Sequence, residues 1–416
     1  MTYNVEYVRN QFPSLELQVN GKPPAFFDGP GGTEVPERVI DYITKYLKTA
    51  NAIPDVAPFK TAVESDRIMW ESRQAIANFL GGNPEEIAFG HNTTSLMYML
   101  AFSLGKDIQT GDEIIITEID HEANRGPWRA LEEQGAVIKE VKFDPQKLAL
   151  DMEDFRSKVT EKTKIAAFNY AANALGTISD VKTMIDLVHD VGGITVIDAV
   201  HQAAHGIIDV KKLNVDYLLC SVYKFFGPHL GVLYGKKEVF EQLKAYKLIP
   251  QKDGIPYKLE TGVLNLEGIA GSKEAVNFIA DLGEKFDTDN KNYSDNTHRD
   301  QIKAGMKAID EHESTLEQFL TDELSKIDEV NLYIPPKEIP KTSTISFTMN
   351  GYSSHDVVET LAADGIFATS GHFYAMKTIE RLGLKETGGL VRIGLAPYNT
   401  KSDIERLIAA IKKLLR

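Results

Sequence analysis

Short apolar runs alternate with helical stretches between about residues 80 and 235, and this alternation limits the possible folds more than any other feature. The pattern is typical of a parallel β-sheet that is covered by helices. We therefore expect an α/β fold. The predicted strands are residues 113–117, 137–141, 165–169, 194–198, 215–219 and 231–234.

The C-terminal part of the chain predicts a second, smaller unit. The chain becomes polar near residue 290, where we predict a solvated loop at 287–292, and strands are expected at 344–348 and 390–394. Ser402 and Glu405 have the spacing of a capping box for the last helix. The apolar stripe predicted for this helix consists of Ile404, Leu407, Ile408, Ile411 and Leu415.

Length and composition narrow the class of protein. A chain of 416 residues is long enough for two domains, because single hydrophobic cores stop growing at about 250–300 residues. Its formal net charge of −14 argues against nucleic acid or an anionic membrane as the main partner. The single cysteine, Cys220, permits no intramolecular disulfide. With no signal-peptide pattern and no apolar run near the ~20 residues that span a bilayer, we expect a cytoplasmic protein.

Polar residues lie at the ends of several predicted strands. His121 follows the first strand, Asn173 follows the third, and Asp198 closes the fourth. Ligands of open α/β sheets bind beyond the carboxyl ends of the strands. The sequence therefore predicts a binding site at this edge.

Lys224 stands just after the fifth predicted strand and before a glycine-proline turn. A buried lysine tends to lose its proton, and the free amine can form a Schiff base with an aldehyde. Taken alone, a lysine that caps the end of a strand is the more ordinary interpretation. The same holds for Asp198, His121 and Arg392 taken singly, so the prediction depends on their combination.

The segment Asp-Ala-Val-His at 198–201, followed by Ser-Val-Tyr-Lys at 221–224, resembles the signature of fold-type I pyridoxal-phosphate enzymes. The resemblance is to the class V aminotransferase and cysteine desulfurase-like family, and it extends from about Asp28 to the C-terminus. It implies a large domain at 26–280 with a mostly parallel seven-stranded sheet. It also implies a smaller α+β domain at 281–416, against which residues 1–25 pack.

The resemblance assigns catalytic roles to three residues. Lys224 would hold pyridoxal 5'-phosphate as a Schiff base and act as the base at the substrate Cα. Asp198 would face the pyridine nitrogen, and His121 would stack on the ring.

It assigns binding roles as well. The further cofactor contacts that it implies are Thr93, Thr94, Asn173, His201, Ser221 and Tyr223. Thr93 and Thr94 precede an apolar helix, whose N-terminus suits a phosphate. Arg392 would clamp the carboxylate of a small amino-acid substrate, with Asn173 beside it. No metal is expected, and a homodimer with its active site near the subunit interface is implied.

The sequence departs from the cysteine desulfurases at four positions. Tyr374 stands where those enzymes carry the cysteine that takes up sulfur, and Thr369 stands where they often have an arginine. Tyr223 replaces a histidine that binds phosphate. Val263 replaces a threonine that contacts the phosphate of the neighbouring subunit, so that contact is not expected here. Because a phenol cannot form a persulfide, persulfide chemistry is not expected either.

These departures favour a reaction through a Cα carbanion that needs no sulfur acceptor. Among such reactions, the resemblance to desulfurases and selenocysteine lyases favours an elimination of the C–S or C–Se lyase type. Transamination and epimerisation require the same first proton abstraction and remain alternatives. A non-catalytic protein that retains pyridoxal phosphate for stability or sensing is a further alternative.

Overall fold

The computed structural model describes residues 3–55, 57–286 and 297–415; the loop predicted at 287–292 lies outside these ranges. The strands are β1 (Ala25–Phe26), β2 (Ile87–Gly90), β3 (Glu113–Thr117), β4 (Val137–Val141), β5 (Phe143–Asp144), β6 (Ala149–Leu150), β7 (Thr163–Asn169), β8 (Ile194–Asp198), β9 (Tyr217–Ser221), β10 (Gly231–Gly235), β11 (Val330–Tyr333), β12 (Thr344–Met349), β13 (Ile366–Phe367), β14 (Thr369–Gly371) and β15 (Leu390–Gly394).

The helices are α1 (Val5–Arg9), α2 (Glu37–Thr49), α3 (Lys60–Leu80), α4 (Thr93–Gly105), α5 (Gly126–Arg129), α6 (Met152–Lys158), α7 (Val181–Asp190), α8 (Gln202–His205), α9 (Val210–Leu213), α10 (Lys237–Gln242), α11 (Leu266–Phe286), α12 (His298–Leu324), α13 (Ser354–Ala363), α14 (Met376–Arg381) and α15 (Lys401–Leu414). Within the described ranges, no helix is both long enough and apolar enough to cross a membrane.

A seven-stranded sheet forms the centre of the fold, in the order β2-β10-β9-β8-β7-β3-β4. Strands β9, β8, β7, β3 and β4 run parallel, and β10 is antiparallel to both β9 and β2. The α/β fold and the mostly parallel seven-stranded sheet predicted from the sequence are confirmed. Strand β2 was missed, because a four-residue apolar run is too short to show a periodicity.

Both faces of this sheet are buried. In β3, Ile114 and Ile116 pack into one apolar cluster, whereas Ile115 packs into the cluster on the opposite face. Alternate residues of a strand point to opposite faces, so a sheet that is covered on both sides needs continuous apolar runs. This requirement explains the pattern that predicted the fold.

A second sheet of four antiparallel strands, in the order β11-β12-β15-β14, lies in the C-terminal part of the chain. The N-terminal part joins this region, since β1 pairs in parallel with β13. The strands predicted at 344–348 and 390–394 are present as β12 and β15.

The cap predicted for the last helix was wrong by two residues. Helix α15 is capped by Thr400, whose hydroxyl accepts the backbone N–H of Asp403, while the Asp403 carboxylate accepts the N–H of Thr400. Ser402 and Glu405 share the spacing but lie inside the helix. The apolar stripe was predicted correctly, and its first four members are buried.

Candidate active site

A cavity of about 330 Å³ lies at the carboxyl edge of the parallel strands. It has the size of small-molecule sites in proteins, which are typically about 300–1,000 Å³. The residues that the sequence predicted as binding or catalytic all line it: Thr93, Thr94, His121, Asn173, Asp198, His201, Ser221, Tyr223, Lys224 and Arg392.

Lys224 follows β9 in a single helical turn. Its Nζ donates hydrogen bonds to the backbone carbonyl oxygens of Pro30 and Gly31, the latter at 2.8 Å. Burial lowers the pKa of Lys224 to about 7, and the positive charge of Arg392 lowers it further, against the opposing effects of Asp28 and Asp198. The amine is therefore half free base near neutral pH.

Asp198 is the last residue of β8, the strand next to the one that leads to Lys224. Its side chain accepts the backbone N–H of Val200 at 2.9 Å. Burial raises the pKa of this carboxyl to about 6, although the bond from Val200 and the charge of Lys224 act in the opposite direction. A cationic group in the cavity would stabilise its ionised form.

His121 follows β3 and presents a flat ring to the cavity. Its Nδ1 accepts the backbone N–H of Ala123 at 3.0 Å, so the proton of the neutral ring lies on Nε2. Burial lowers the pKa of His121 to about 4, assisted by the charges of Lys224 and Arg392. The imidazole is therefore uncharged at neutral pH and offers a polarisable surface.

The N-terminus of α4 forms another wall. Asn92 caps the helix, and the Thr93 hydroxyl contacts the Ser221 hydroxyl at 2.6 Å and the Cys220 carbonyl oxygen at 2.9 Å. Thr94, next in the helix, is exposed to the cavity. Free N–H groups and the helix dipole favour an anion at such a terminus.

Gly231, at the start of β10, allows this close approach of α4 to the sheet. A Cβ at position 231 would lie 2.4 Å from the backbone carbonyl carbon of Asn92. Any other residue would therefore push the helix N-terminus away from the cavity.

Tyr223 and His201 are already engaged with protein partners. The Tyr223 ring stacks on His229 with centroids 4.9 Å apart. Burial raises the pKa of the Tyr223 hydroxyl. The Nε2 of His201 is within hydrogen-bond distance of the hydroxyls of Thr342 and Thr344, at 3.0 and 3.1 Å. Burial lowers the pKa of His201 well below its ordinary value, so the ring is neutral.

Arg392 lies in β15 of the second sheet and is only 4% exposed. It donates hydrogen bonds to the carbonyl oxygen of Asn173 at 3.0 Å, to the Asp28 carboxylate at 3.2 Å and to the Thr369 hydroxyl at 3.4 Å. Its guanidinium lies 4.1 Å from the centroid of the Phe373 ring. The arginine is therefore held in place on several sides.

Asp28 and Phe373 are site residues that the sequence analysis missed. Asp28 is 364 positions from Arg392 in the chain, so no local pattern links the two. Phe373 has no polar group, and an apolar residue alone does not indicate a binding site. The glycine-rich turn that follows Asp28 was a usable signal. A Cβ at Gly31 would lie 2.1 Å from the Asp28 carboxylate, so this turn packs directly on that side chain.

The residues present fit pyridoxal phosphate. The cavity offers an amine for an aldehyde, a helix N-terminus for a phosphate, a carboxylate for a cationic ring nitrogen and an imidazole for a ring face. Among the buried polar atoms that lack a hydrogen-bond partner in the described part of the protein, two belong to residues that line the cavity, Asn173 Oδ1 and Arg392 Nε. Such atoms are normally paired, so they mark places where a bound polar group is accommodated.

The thiol of Cys220 is not part of the cavity. Cys220 lies in the middle of the sheet and is fully buried, and burial raises its pKa far above that of a reactive thiol. Tyr374, which stands where the cysteine desulfurases carry the cysteine that takes up sulfur, does line the cavity.

Comparisons with known proteins identify the family of the chain. A family model described as "Aminotransferase class-V" matches residues 25–304 and 300–407. The aminotransferase-like protein FGM3 of Gibberella zeae is 33% identical over 427 residues, which cover 100% of this chain and 99% of the relative. A cysteine desulfurase of Pectobacterium atrosepticum is 29% identical over 431 residues, again covering 100% of this chain and 99% of the relative.

The crystal structure of the cysteine desulfurase CsdA from Escherichia coli, in its S-sulfonic acid form, has a TM-score of 0.83 and 25% identity. The match covers 100% of this chain and 99% of that one. Fold, cavity and sequence similarity thus point in one direction: the chain belongs to the class-V aminotransferase family of pyridoxal-phosphate-dependent enzymes.

Proposed function

We propose that this enzyme cleaves a C–S or C–Se bond at the β-carbon of a small α-amino acid by elimination, without a persulfide on the protein. The observation that carries the proposal is the composition of the cavity. It brings together Lys224, Asp198 and Arg392, while the single thiol of the chain lies buried in β9. An elimination needs a base, an electron sink and a carboxylate anchor, but it needs no sulfur acceptor.

Bound pyridoxal phosphate would supply an aldehyde for amino groups and an electron-withdrawing ring that stabilises negative charge at Cα. Lys224 would hold the cofactor and, as a free amine with a pKa of about 7, take the proton from the substrate Cα. Asp198 would hold a proton on the ring nitrogen. His121 would cover the ring face as a neutral imidazole, since burial lowers its pKa to about 4.

The remaining residues would bind and orient. Thr93 and Thr94, at the N-terminus of α4, and Ser221, at the end of β9, would donate to the phosphate, as would the hydroxyl of Tyr223. His201 and Asn173 would lie around the ring. Arg392 would hold the substrate carboxylate, because its Nε is unpartnered, while its Nη2 is fixed by Asp28 and Thr369 and its Nη1 by the carbonyl oxygen of Asn173.

Product analysis with the purified, cofactor-loaded enzyme tests this function. Elimination from L-cysteine releases sulfide, pyruvate and ammonia, whereas desulfuration through a persulfide releases alanine. We expect pyruvate, and we expect Cys220→Ala to retain activity, while Lys224→Ala should abolish it. Alanine as the main product, or loss of activity in Cys220→Ala, would refute the proposal.

Transamination is the second candidate, and the 33% identity to a relative named as aminotransferase-like favours it. It would convert the substrate to its 2-oxo acid only when an amino acceptor is supplied. Pyruvate formed from L-cysteine without any added 2-oxo acid distinguishes elimination from transamination.

We also infer that the protein forms a homodimer. A second cavity of about 580 Å³ is lined by Ile53, Trp70 and Val263, which are 50%, 49% and 59% exposed. Large apolar side chains clustered in this way are typical of a surface that a partner covers.

Light scattering should give twice the mass of the chain, and Trp70→Glu should shift the protein to monomer. A monomeric wild-type protein would contradict the inference of a homodimer.

A further inference from the structure

Tyr374 lies in a segment whose backbone has an unusual conformation. Phe373 and Tyr374 have φ angles of 51° and 57°, two successive non-glycine residues in the left-handed region. This region is unfavourable for residues with a side chain and is retained where the surroundings enforce it. The conformation of this pair is therefore imposed by its contacts.

Three hydrogen bonds impose it. The side-chain amide of Asn173 donates to the Phe373 carbonyl oxygen at 2.7 Å, and the backbone N–H of Glu122 donates to the Tyr374 carbonyl oxygen at 2.8 Å. The backbone N–H of Tyr374 donates to Nδ1 of His372 at 3.0 Å. Both neighbouring walls of the cavity thus hold the segment.

The conformation sends the two side chains to different places. Phe373 packs against the Arg392 guanidinium, whereas the Tyr374 ring stacks on His121 with centroids 5.2 Å apart and planes inclined by 25°. The His372 ring meets Tyr374 edge-on at 5.8 Å. Phe373 contacts Arg392, and Tyr374 is the next residue in the chain. A substrate whose carboxylate is held at Arg392 would therefore lie near the aromatic ring of Tyr374.

This surface is at the mouth of the cavity. Tyr374 lines the cavity, yet it is 63% exposed, and the nearby Met376 is 43% exposed. His121, beneath the tyrosine, is uncharged at neutral pH. A side chain that leaves the cavity here meets an aromatic, polarisable rim and can continue into solvent.

We propose that Tyr374 binds the leaving group of the substrate and that this group is a sulfur with an apolar substituent, so that thioether amino acids are better substrates than free cysteine. Divalent sulfur makes favourable contacts with aromatic rings, and the open rim leaves room for the substituent. The inference rests on the proposed function and specifies its substrate.

The reaction balances without an oxidant or an acceptor. Lys224 removes the Cα proton, the Cβ–S bond breaks, and its electron pair leaves with the sulfur, which takes up a proton. The thioether amino acid and one water then yield a thiol, pyruvate and ammonium. No sulfur is transferred to the protein, in keeping with a phenol at position 374.

Calorimetry on the cofactor-loaded enzyme tests the binding surface without turnover. The probes are 3-(benzylsulfanyl)propionate and 3-mercaptopropionate, which carry the carboxylate and the sulfur but lack the amine needed to react with the cofactor. We expect the benzyl compound to bind wild-type enzyme at least about tenfold more tightly, the range that apolar pocket contacts provide. Tyr374→Phe should keep this preference and Tyr374→Ala should lose it.

Tyr246→Ala is the matched control, because Tyr246 is 60% exposed but does not line the cavity, and it should leave the preference intact. Equal binding of both probes to the wild type, or an unchanged preference in Tyr374→Ala, would overturn the inference. Turnover of S-benzyl-L-cysteine is measured separately. Release of a 2-oxo acid that retains sulfur would refute the elimination, while the probe preference would still support the thioether surface.

Discussion

The apoprotein should capture pyridoxal phosphate through Lys224 with a pH midpoint near 7. Burial and the charge of Arg392 lower the pKa of this amine from 10.5 to about 7. At pH 7 about half of the amine is therefore free base, compared with roughly one part in 3,000 for a lysine in water. Only the free base attacks an aldehyde. The rate of cofactor capture should therefore rise about twofold between pH 7 and pH 9, whereas the rate for an ordinary lysine would rise about a hundredfold.

The rate is measured by stopped-flow absorbance after the apoprotein is mixed with the cofactor over this pH range. Arg392→Met removes a positive charge beside the amine, so its midpoint should move up. Asp28→Asn removes a negative charge that raises the pKa of Lys224, so its midpoint should move down. Opposite shifts in the two variants would separate charge effects from general damage to the site.

Lys258 provides a matched control. It is a buried lysine whose Nζ donates to the carbonyl oxygens of Glu241 and Leu243, much as Lys224 donates to two carbonyls, but it lies outside the cavity. Lys258→Met should leave the midpoint unchanged. A wild-type rate that rises a hundredfold between pH 7 and pH 9 would refute the reasoning, because it would show that the amine is not desolvated.

Three further outcomes are expected. Arg392→Ala should cost about 2–5 kcal/mol in kcat/KM for amino acids but much less for the matching amines, and equal losses in steady-state assays would exclude a carboxylate contact. The pKa of Asp198 in the folded apoprotein is about 6, above the unfolded value of about 3.9, so its contribution to stability is present below pH 4 and is lost as the pH rises through 6. Asp198→Asn should remove this part of the pH dependence of urea unfolding; an identical dependence in both proteins would contradict it. Gly31→Ala should displace Asp28, because the added Cβ would overlap its carboxylate, and should raise KM through Arg392; unchanged kinetics would show that this turn does not position the arginine.

Much of the fold could be predicted because it is encoded locally. A strand buried on both faces must be largely apolar, and a parallel neighbour requires a helix between the two, so β3, β7 and β8 are visible as an alternation in the chain. Strand ends and the buried-lysine pattern indicated His121, Asn173, Asp198 and Lys224, whereas the resemblance to the family supplied the other predicted site residues. The structure brings those residues to one cavity.

The tertiary structure alone determined how these groups affect one another. The pairing of Asp28 with Arg392 joins the two ends of the chain, and no local pattern encodes a contact across 364 positions. The left-handed pair Phe373 and Tyr374 is likewise imposed by Asn173 and Glu122 from other parts of the chain, against the preference of the residues themselves. Periodicity and motif specified which chemical groups are present, because they depend on neighbours in sequence. Burial, charge and orientation depend on neighbours in space, and these lower the pKa of Lys224 and place the Tyr374 ring on His121.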